Sequence, residues 1–166
     1  ISFVYYEDSG KDGLLSFKLK GLFNFAEYFA QKAVEMLKEN GILDEIDLIT
    51  NVPMTAQKEY ERGYDQAFEF AKMISMFSGL PLDGMVLIKE KGNVVQHELS
   101  SKERKEKAYE AFELNIHPKH IKGKTILLCD DVVTTGSTLD ACAKLLKEAG
   151  VKKVYCVTIA TTRFVN

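Results

Sequence analysis

The sequence predicts an α/β fold in which a mostly parallel central sheet is flanked by helices. Three observations lead there. Segments with apolar residues at helical spacing alternate with short β-rich runs, a pattern that calls for a sheet covered on both faces. Two of those runs, residues 126–129 and 154–160, read as buried strands because they are short and apolar. The 166 residues, 46% of them hydrophobic and only 3 of them Pro, suit one domain (1–166) with a sizeable core.

Taken in order, residues 2–6 read as a strand, 7–13 as a polar turn and 14–19 as a second apolar segment, together a small N-terminal flap or hood. Lys18 and Lys20, beside Gly21, have the reach to meet a ligand's phosphates, although two lysines on an apolar segment equally suit its wet side. From Leu22 onward, Ala26, Phe29, Ala30, Ala33 and Leu37 fall on one helical face, Phe23 and Phe25 read as packing, and Gly41 supplies the stop. Residues 46–52 form the next strand. The polar stretch 55–63, with Lys58, Glu59, Glu61 and Arg62, then reads as a loop where α/β folds place their sites.

Asp65 caps a helix whose stripe is Ala67, Phe70, Ala71, Ile74 and Phe77, and Gly79-Leu80-Pro81 ends it. Residues 85–88 form a strand, and 89–101, with two lysines and a Gly, form a loop of lid length. Ser100 and Glu103 make a capping box for a charged helix through about Ala108. Its alternating signs suit a solvated face better than a nucleic-acid patch. Residues 111–116 form a strand and 117–120 a turn, where His117 and His120 flank Pro118 without further candidate ligands for a metal. No internal repeat or low-complexity segment interrupts the chain.

The formal net charge of −2 provides no general basic field, so direct nucleic-acid or membrane-surface binding is not supported. Cys129, Cys142 and Cys156 are too far apart for a Cys-x-x-Cys pair and each sits in an apolar pattern, which suits core packing in a reduced, cytoplasmic setting. No stretch approaches the roughly 20 apolar residues of a membrane span, and the start lacks the pattern of a signal peptide. The chain begins at Ile1 rather than Met, which leaves room for a missing upstream segment.

Chemistry concentrates in residues 126–138, Ile-Leu-Leu-Cys-Asp-Asp-Val-Val-Thr-Thr-Gly-Ser-Thr. A buried strand ends in Asp130 and Asp131, and a helix with Leu139, Cys142, Leu146 and Ala149 on one face follows the loop. Backbone N–H groups at a helix start, the positive end of its dipole, and the hydroxyls of Thr134, Thr135, Ser137 and Thr138 around Gly136 favour a phosphate monoester. Neighbouring strand residues point to opposite faces, so the two carboxylates bracket a ligand with vicinal hydroxyls rather than share one ion. Phosphate plus diol suggests a ribose phosphate.

A plain capped turn, with Thr134 or Thr135 as N-cap and solvated acids, fits the same residues. Gly123-Lys124-Thr125 mimics the end of a nucleotide-binding P-loop, but position 118 is Pro and the tripeptide precedes its strand, so that reading fails. A dehalogenase-like phosphatase needs acids two apart, and a receiver domain needs an acidic pocket from separate strands; neither arrangement is visible.

Residues 126–138 resemble the phosphoribosyl-pyrophosphate (PRPP) binding motif of type I phosphoribosyltransferases. Beyond it, Phe17-Lys18-x-x-Gly21, Val52-Pro53, Arg62-Gly63-Tyr64-Asp65-Gln66-Ala67, Gln96-x-x-Leu99-Ser100-x-x-x-Arg104 and Phe112 resemble the ComF-type competence branch in order and spacing. The resemblance implies the type I phosphoribosyltransferase fold, a parallel sheet with a smaller hood. It implies Thr134, Thr135, Gly136, Ser137 and Thr138 at the 5-phosphate, and catalytic Asp130 and Asp131 at the ribose hydroxyls. Val52, Pro53, Lys58 and Arg62 lie on the pyrophosphate side, with Gln96 in a lid. Mg2+ joins through ligand oxygens rather than a protein metal site.

Two functions follow as expectations. One is Mg-dependent transfer of the phosphoribosyl group from PRPP to an unknown acceptor, by pyrophosphate departure from an oxocarbenium-like ribose with the lid closed against water. The other is a non-catalytic ribose-phosphate or nucleotide sensor that assists DNA uptake through competence-machinery proteins. A homodimer is compatible with either.

The sequence departs from the branch at several points. An N-terminal Cys-rich zinc segment is missing, so the chain is expected to be a fragment or a member without it. Lys58 stands where Arg is usual, Asp65 where Asn is usual, and Lys107 where Asn is usual. Lys lacks the bidentate fork of Arg, which weakens the expected pyrophosphate contact at position 58.

Overall fold

The computed structural model describes residues 2–5, 23–89 and 111–161. Four strands form a parallel sheet in the order β1-β6-β5-β2: β1 (Ser2–Tyr5), β2 (Leu48–Asn51), β5 (Thr125–Val133) and β6 (Lys153–Thr161). An antiparallel pair, β3 (Leu87–Lys89) and β4 (Phe112–Leu114), stands apart from it. The helices are α1 (Phe23–Glu39), α2 (Ala56–Arg62), α3 (Gln66–Ser78) and α4 (Ser137–Glu148).

Strand alternation divides the core in two. Ile49, Leu127, Cys129, Val157 and Ile159 meet Ala26, Ala30, Ala33 and Leu37 of α1 and Phe70, Ala71 and Ile74 of α3. Leu48, Ile126 and Leu128 meet Ala141, Cys142 and Leu146 of α4, together with Val86, Leu87 and Phe112 beside the small sheet. The central strands are apolar on both sides because both sides are covered, and a parallel sheet needs that cover. The three small Ala of α1, each 0% exposed, form part of the face it packs against the core with α3.

Several expectations are corrected. Residues 55–63 are a helix rather than a loop. The Thr55 side chain accepts from Lys58 N, Gln57 bonds Glu61 one turn on, and Gly63 closes the helix at φ +82°. These local bonds outweigh the lack of an apolar stripe. The strand expected to end at the carboxylates continues through them to Val133, because β6 supplies pairing partners as far as Thr161.

Neither Thr134 nor Thr135 caps α4. Gly136 does, at φ +79° and without a side-chain cap bond. Phe77 leaves the buried stripe of α3 and is 39% exposed, since the core contact ends one turn earlier at Ile74. Met85 is exposed and precedes β3, whereas Lys89, expected to start the lid, ends that strand. The flap segment 14–19, the lid with Gln96 and the charged helix around Arg104 and Lys107 lie outside the described residues.

Candidate functional site: a cleft at the strand ends

The C-terminal end of β2 lies beside the later half of β5, with Asn51 opposite Cys129 and Val52 N donating to Cys129 O at 2.8 Å. The chain leaving β2 turns into α2 at Thr55, and the chain leaving β5 turns into α4 at Gly136. Between them opens a cleft of about 220 Å3. Its walls carry Asp130, Asp131, Val132 and Thr138 from the β5–α4 side, and Val52, Pro53, Met54, Thr55, Lys58 and Arg62 from the β2–α2 side. Asp65, Gln66, Ala67 and Lys89 complete it. Ligand sites of open α/β sheets occupy this same place, where connections from neighbouring strands part.

The cleft thus brings together both predicted carboxylates and all four predicted pyrophosphate-side residues. Asp130 is 9% exposed, and its Oδ1 accepts from Asp131 N at 2.8 Å, while Asp131 Oδ1 accepts from Val132 N at 2.7 Å. Each carboxylate is therefore anchored by the backbone of the next residue, which limits its rotamers and holds it at the cleft. Of the predicted phosphate loop, Thr138 lines the cleft; Thr134, Thr135, Gly136 and Ser137 lie next to it in sequence but form none of its wall. Within that loop Thr135 Oγ1 and Ser137 Oγ are 2.9 Å apart, and Asp140 N donates to Gly136 O at 2.8 Å, the first backbone bond of α4.

Among the wall residues that the sequence does not single out for the site are Asp65, Gln66 and Lys89. Asp65 was read as a cap, and it is one: Oδ1 accepts from Phe68 N at 3.0 Å. Its Oδ2 also receives Met54 N at 3.4 Å and Asn51 Nδ2 at 3.5 Å, which ties the turn after β2 to the start of α3. Burial pushes the Asp65 carboxyl above the usual carboxylate range, against the pull of the Phe68, Met54 and Ala67 N–H groups.

Gln66 is 1% exposed and accepts from Arg62 Nη1 at 3.1 Å. Lys89 holds its Nζ 4.8 Å from the centroid of the Phe112 ring. Burial, and then the neighbouring Lys58, lower its pKa, while Asp130 pulls the other way. The signals available in sequence were the Gln four residues after Arg62 and the basic residue closing an apolar strand, and neither states which way its side chain points.

Lys58, Arg62 and Lys89 therefore share one cleft with Asp130 and Asp131. Positive groups at one part of a ligand and carboxylates at another suit a molecule with both an anionic and a hydroxyl-bearing part. No group of three or more His, Cys, Asp or Glu able to hold a metal occurs among the described residues. Cys129 and Cys142 are buried, and burial pushes the Cys142 thiol up to about 12, so they are packing groups rather than nucleophiles. No helix among the described residues is long and apolar enough to cross a membrane.

Known proteins share sequence and fold with this chain. The chain is 32% identical over 108 residues to competence protein F of Haemophilus influenzae, covering 65% of this chain and 47% of that protein. It is 30% identical over 113 residues to the DNA utilization protein YhgH of Salmonella typhi, covering 67% of this chain and 48% of that one. The chain thus spans about half the length of these curated relatives. Among solved structures, a purine phosphoribosyltransferase from Pyrococcus horikoshii superposes with a TM-score of 0.54 at 19% identity, over 85% of this chain and 78% of that one, a likeness of fold. Residues 66–163, more than half of the chain and including α3, β5, α4 and β6, match the phosphoribosyl transferase domain, and the chain belongs to that family.

Proposed function

We propose that the cleft binds PRPP or a ribose 5-phosphate and that the protein transfers the phosphoribosyl group to an acceptor. The observation that supports this best is the joint presence of Asp130, Asp131 and Thr138 with Lys58 and Arg62 around one cleft. In this reading Thr138 and the preceding hydroxyl loop receive the 5-phosphate at the start of α4, where N–H groups and the helix dipole favour an anion. Asp130 and Asp131 accept hydrogen bonds from the ribose hydroxyls and favour positive charge on the ring as the bond from carbon 1 to pyrophosphate breaks.

The bonding pair leaves with pyrophosphate, whose charge meets Lys58, Arg62 and Lys89. The acceptor's lone pair then forms the new bond to carbon 1, and its proton passes to solvent. Mg2+ fits a site with two cleft carboxylates, because it keeps waters and binds substrate oxygens. When bound it neutralises pyrophosphate charge.

Turnover tests the proposal. The chain is incubated with PRPP and Mg2+ alone and with candidate bases, amines and ammonia, and pyrophosphate is measured. Acceptor-dependent release that falls about 100-fold in Asp131→Asn is expected; release independent of every acceptor argues against transfer. The names of the two curated relatives favour a second reading, a ligand-sensing part in DNA uptake through protein partners. It predicts PRPP binding by calorimetry without turnover.

A further inference from the structure

Gln66, first residue of α3, lines the cleft at 1% exposure. Its Oε1 accepts from Arg62 Nη1 at 3.1 Å, whereas its Nε2 is buried without a hydrogen-bond partner. The amide orientation follows from chemistry: guanidinium only donates, so the oxygen must face Arg62 and the NH2 group must face away. The other orphaned buried side-chain atom among the described residues, Asn51 Oδ1, belongs to a residue outside the cleft wall. A buried donor without an acceptor costs free energy that a suitable ligand atom recovers on binding.

The surroundings specify that atom. Lys58 and Lys89 share the cleft with the carboxylates of Asp65, Asp130 and Asp131, and Arg62 is bonded to the amide itself, so a free N–H donor beside that guanidinium is complementary to an anionic oxygen. Gln66 and Arg62 come from α3 and α2, not from the β5–α4 connection that carries the hydroxyl loop read as the 5-phosphate end.

We propose that Gln66 is a ligand-contacting residue of the diphosphate end of the cleft, where Nε2 donates to a pyrophosphate oxygen while Oε1 holds the Arg62 guanidinium beside it. The proposal rests on the PRPP reading above. Nε2 is closed to water, so access depends on the exposed Arg62 side chain shifting onto the incoming oxyanion.

A double-mutant cycle tests it, with calorimetric Kd values for PRPP, inorganic pyrophosphate and ribose 5-phosphate in wild type, Arg62→Met, Gln66→Met and the double variant. Gln66→Met is expected to weaken PRPP and pyrophosphate about tenfold and leave ribose 5-phosphate unchanged. It is expected to weaken the first two a further several-fold when Arg62 is already Met. No further loss in the Arg62→Met background reduces Gln66 to a brace for Arg62 and overturns the contact. Equal losses for all three ligands, with a lowered Tm, mark a purely structural role and overturn it as well. Wild-type protein that binds ribose 5-phosphate normally, with Gln66→Met indifferent to pyrophosphate, overturns this inference alone, and wild-type protein that binds neither PRPP nor ribose 5-phosphate overturns the underlying reading with it.

Discussion

Gly136 caps α4 at φ +79°, and a Cβ built on it meets nothing within 4 Å. Replacing it with Ala therefore introduces no clash, and the whole cost is that of holding an L residue in the left-handed region, about 1–2 kcal/mol. For a chain of this size each kcal/mol moves Tm by about 2–4 °C, so Gly136→Ala is expected to lower Tm by about 2–8 °C. Asn enters the left-handed region more readily than Ala, so Gly136→Asn is expected to lose clearly less. Thermal and urea unfolding followed by far-UV circular dichroism measure both, and an unchanged urea slope shows that the surface exposed on unfolding is unaltered. Equal losses for Ala and Asn would refute the backbone-strain argument. So would a loss above about 4 kcal/mol, which requires packing damage that the open space excludes.

Two further outcomes follow from the core and the cleft wall. Phe70, 0% exposed between α1 and the sheet, is expected to cost about 3–5 kcal/mol on truncation to Ala, read as a fall in the urea midpoint; a loss below 1 kcal/mol would show that the α1–α3 layer collapses around the gap. Asp65, with its folded pKa raised by burial, loses its proton first in the unfolded chain. Stability therefore declines as pH rises from near the ordinary value of 3.8 through the raised one, then levels off. Asp65→Asn keeps an N-cap side chain and is expected to remove that decline in urea titrations across the acid range. A variant that instead loses stability relative to wild type over that window would show that the Phe68 and Met54 N–H bonds outweigh burial.

Much of the fold was legible because it depends on local, periodic signals. Ala26, Ala30, Ala33 and Leu37 mark the face of α1, and Asp65 marks its cap on α3, since both follow from spacing along one element. The stretch 55–63 was misread because α2 has no apolar stripe to reveal it; capping by Thr55 and closure at Gly63 are what hold it. The end of β5 was misplaced for a different reason. Two adjacent acids look like the end of a strand, but β6 pairs with Asp130 and again with Val132 and Val133 beyond them, since backbone pairing is indifferent to side-chain polarity.

By itself the sequence determined the parallel α/β class, the helix faces and the position of Asp130 and Asp131 ahead of a hydroxyl loop, because hydrophobic period and motif order are properties of neighbours in the chain. Only the tertiary structure decided that these carboxylates share a cleft with Lys58, Arg62 and Lys89, and that Gln66, whose Nε2 is buried without a partner, stands in its lining. Those groups come from separate elements, and their meeting depends on the β2–β5 register and on how α2 and α3 pack behind it, which no local pattern encodes.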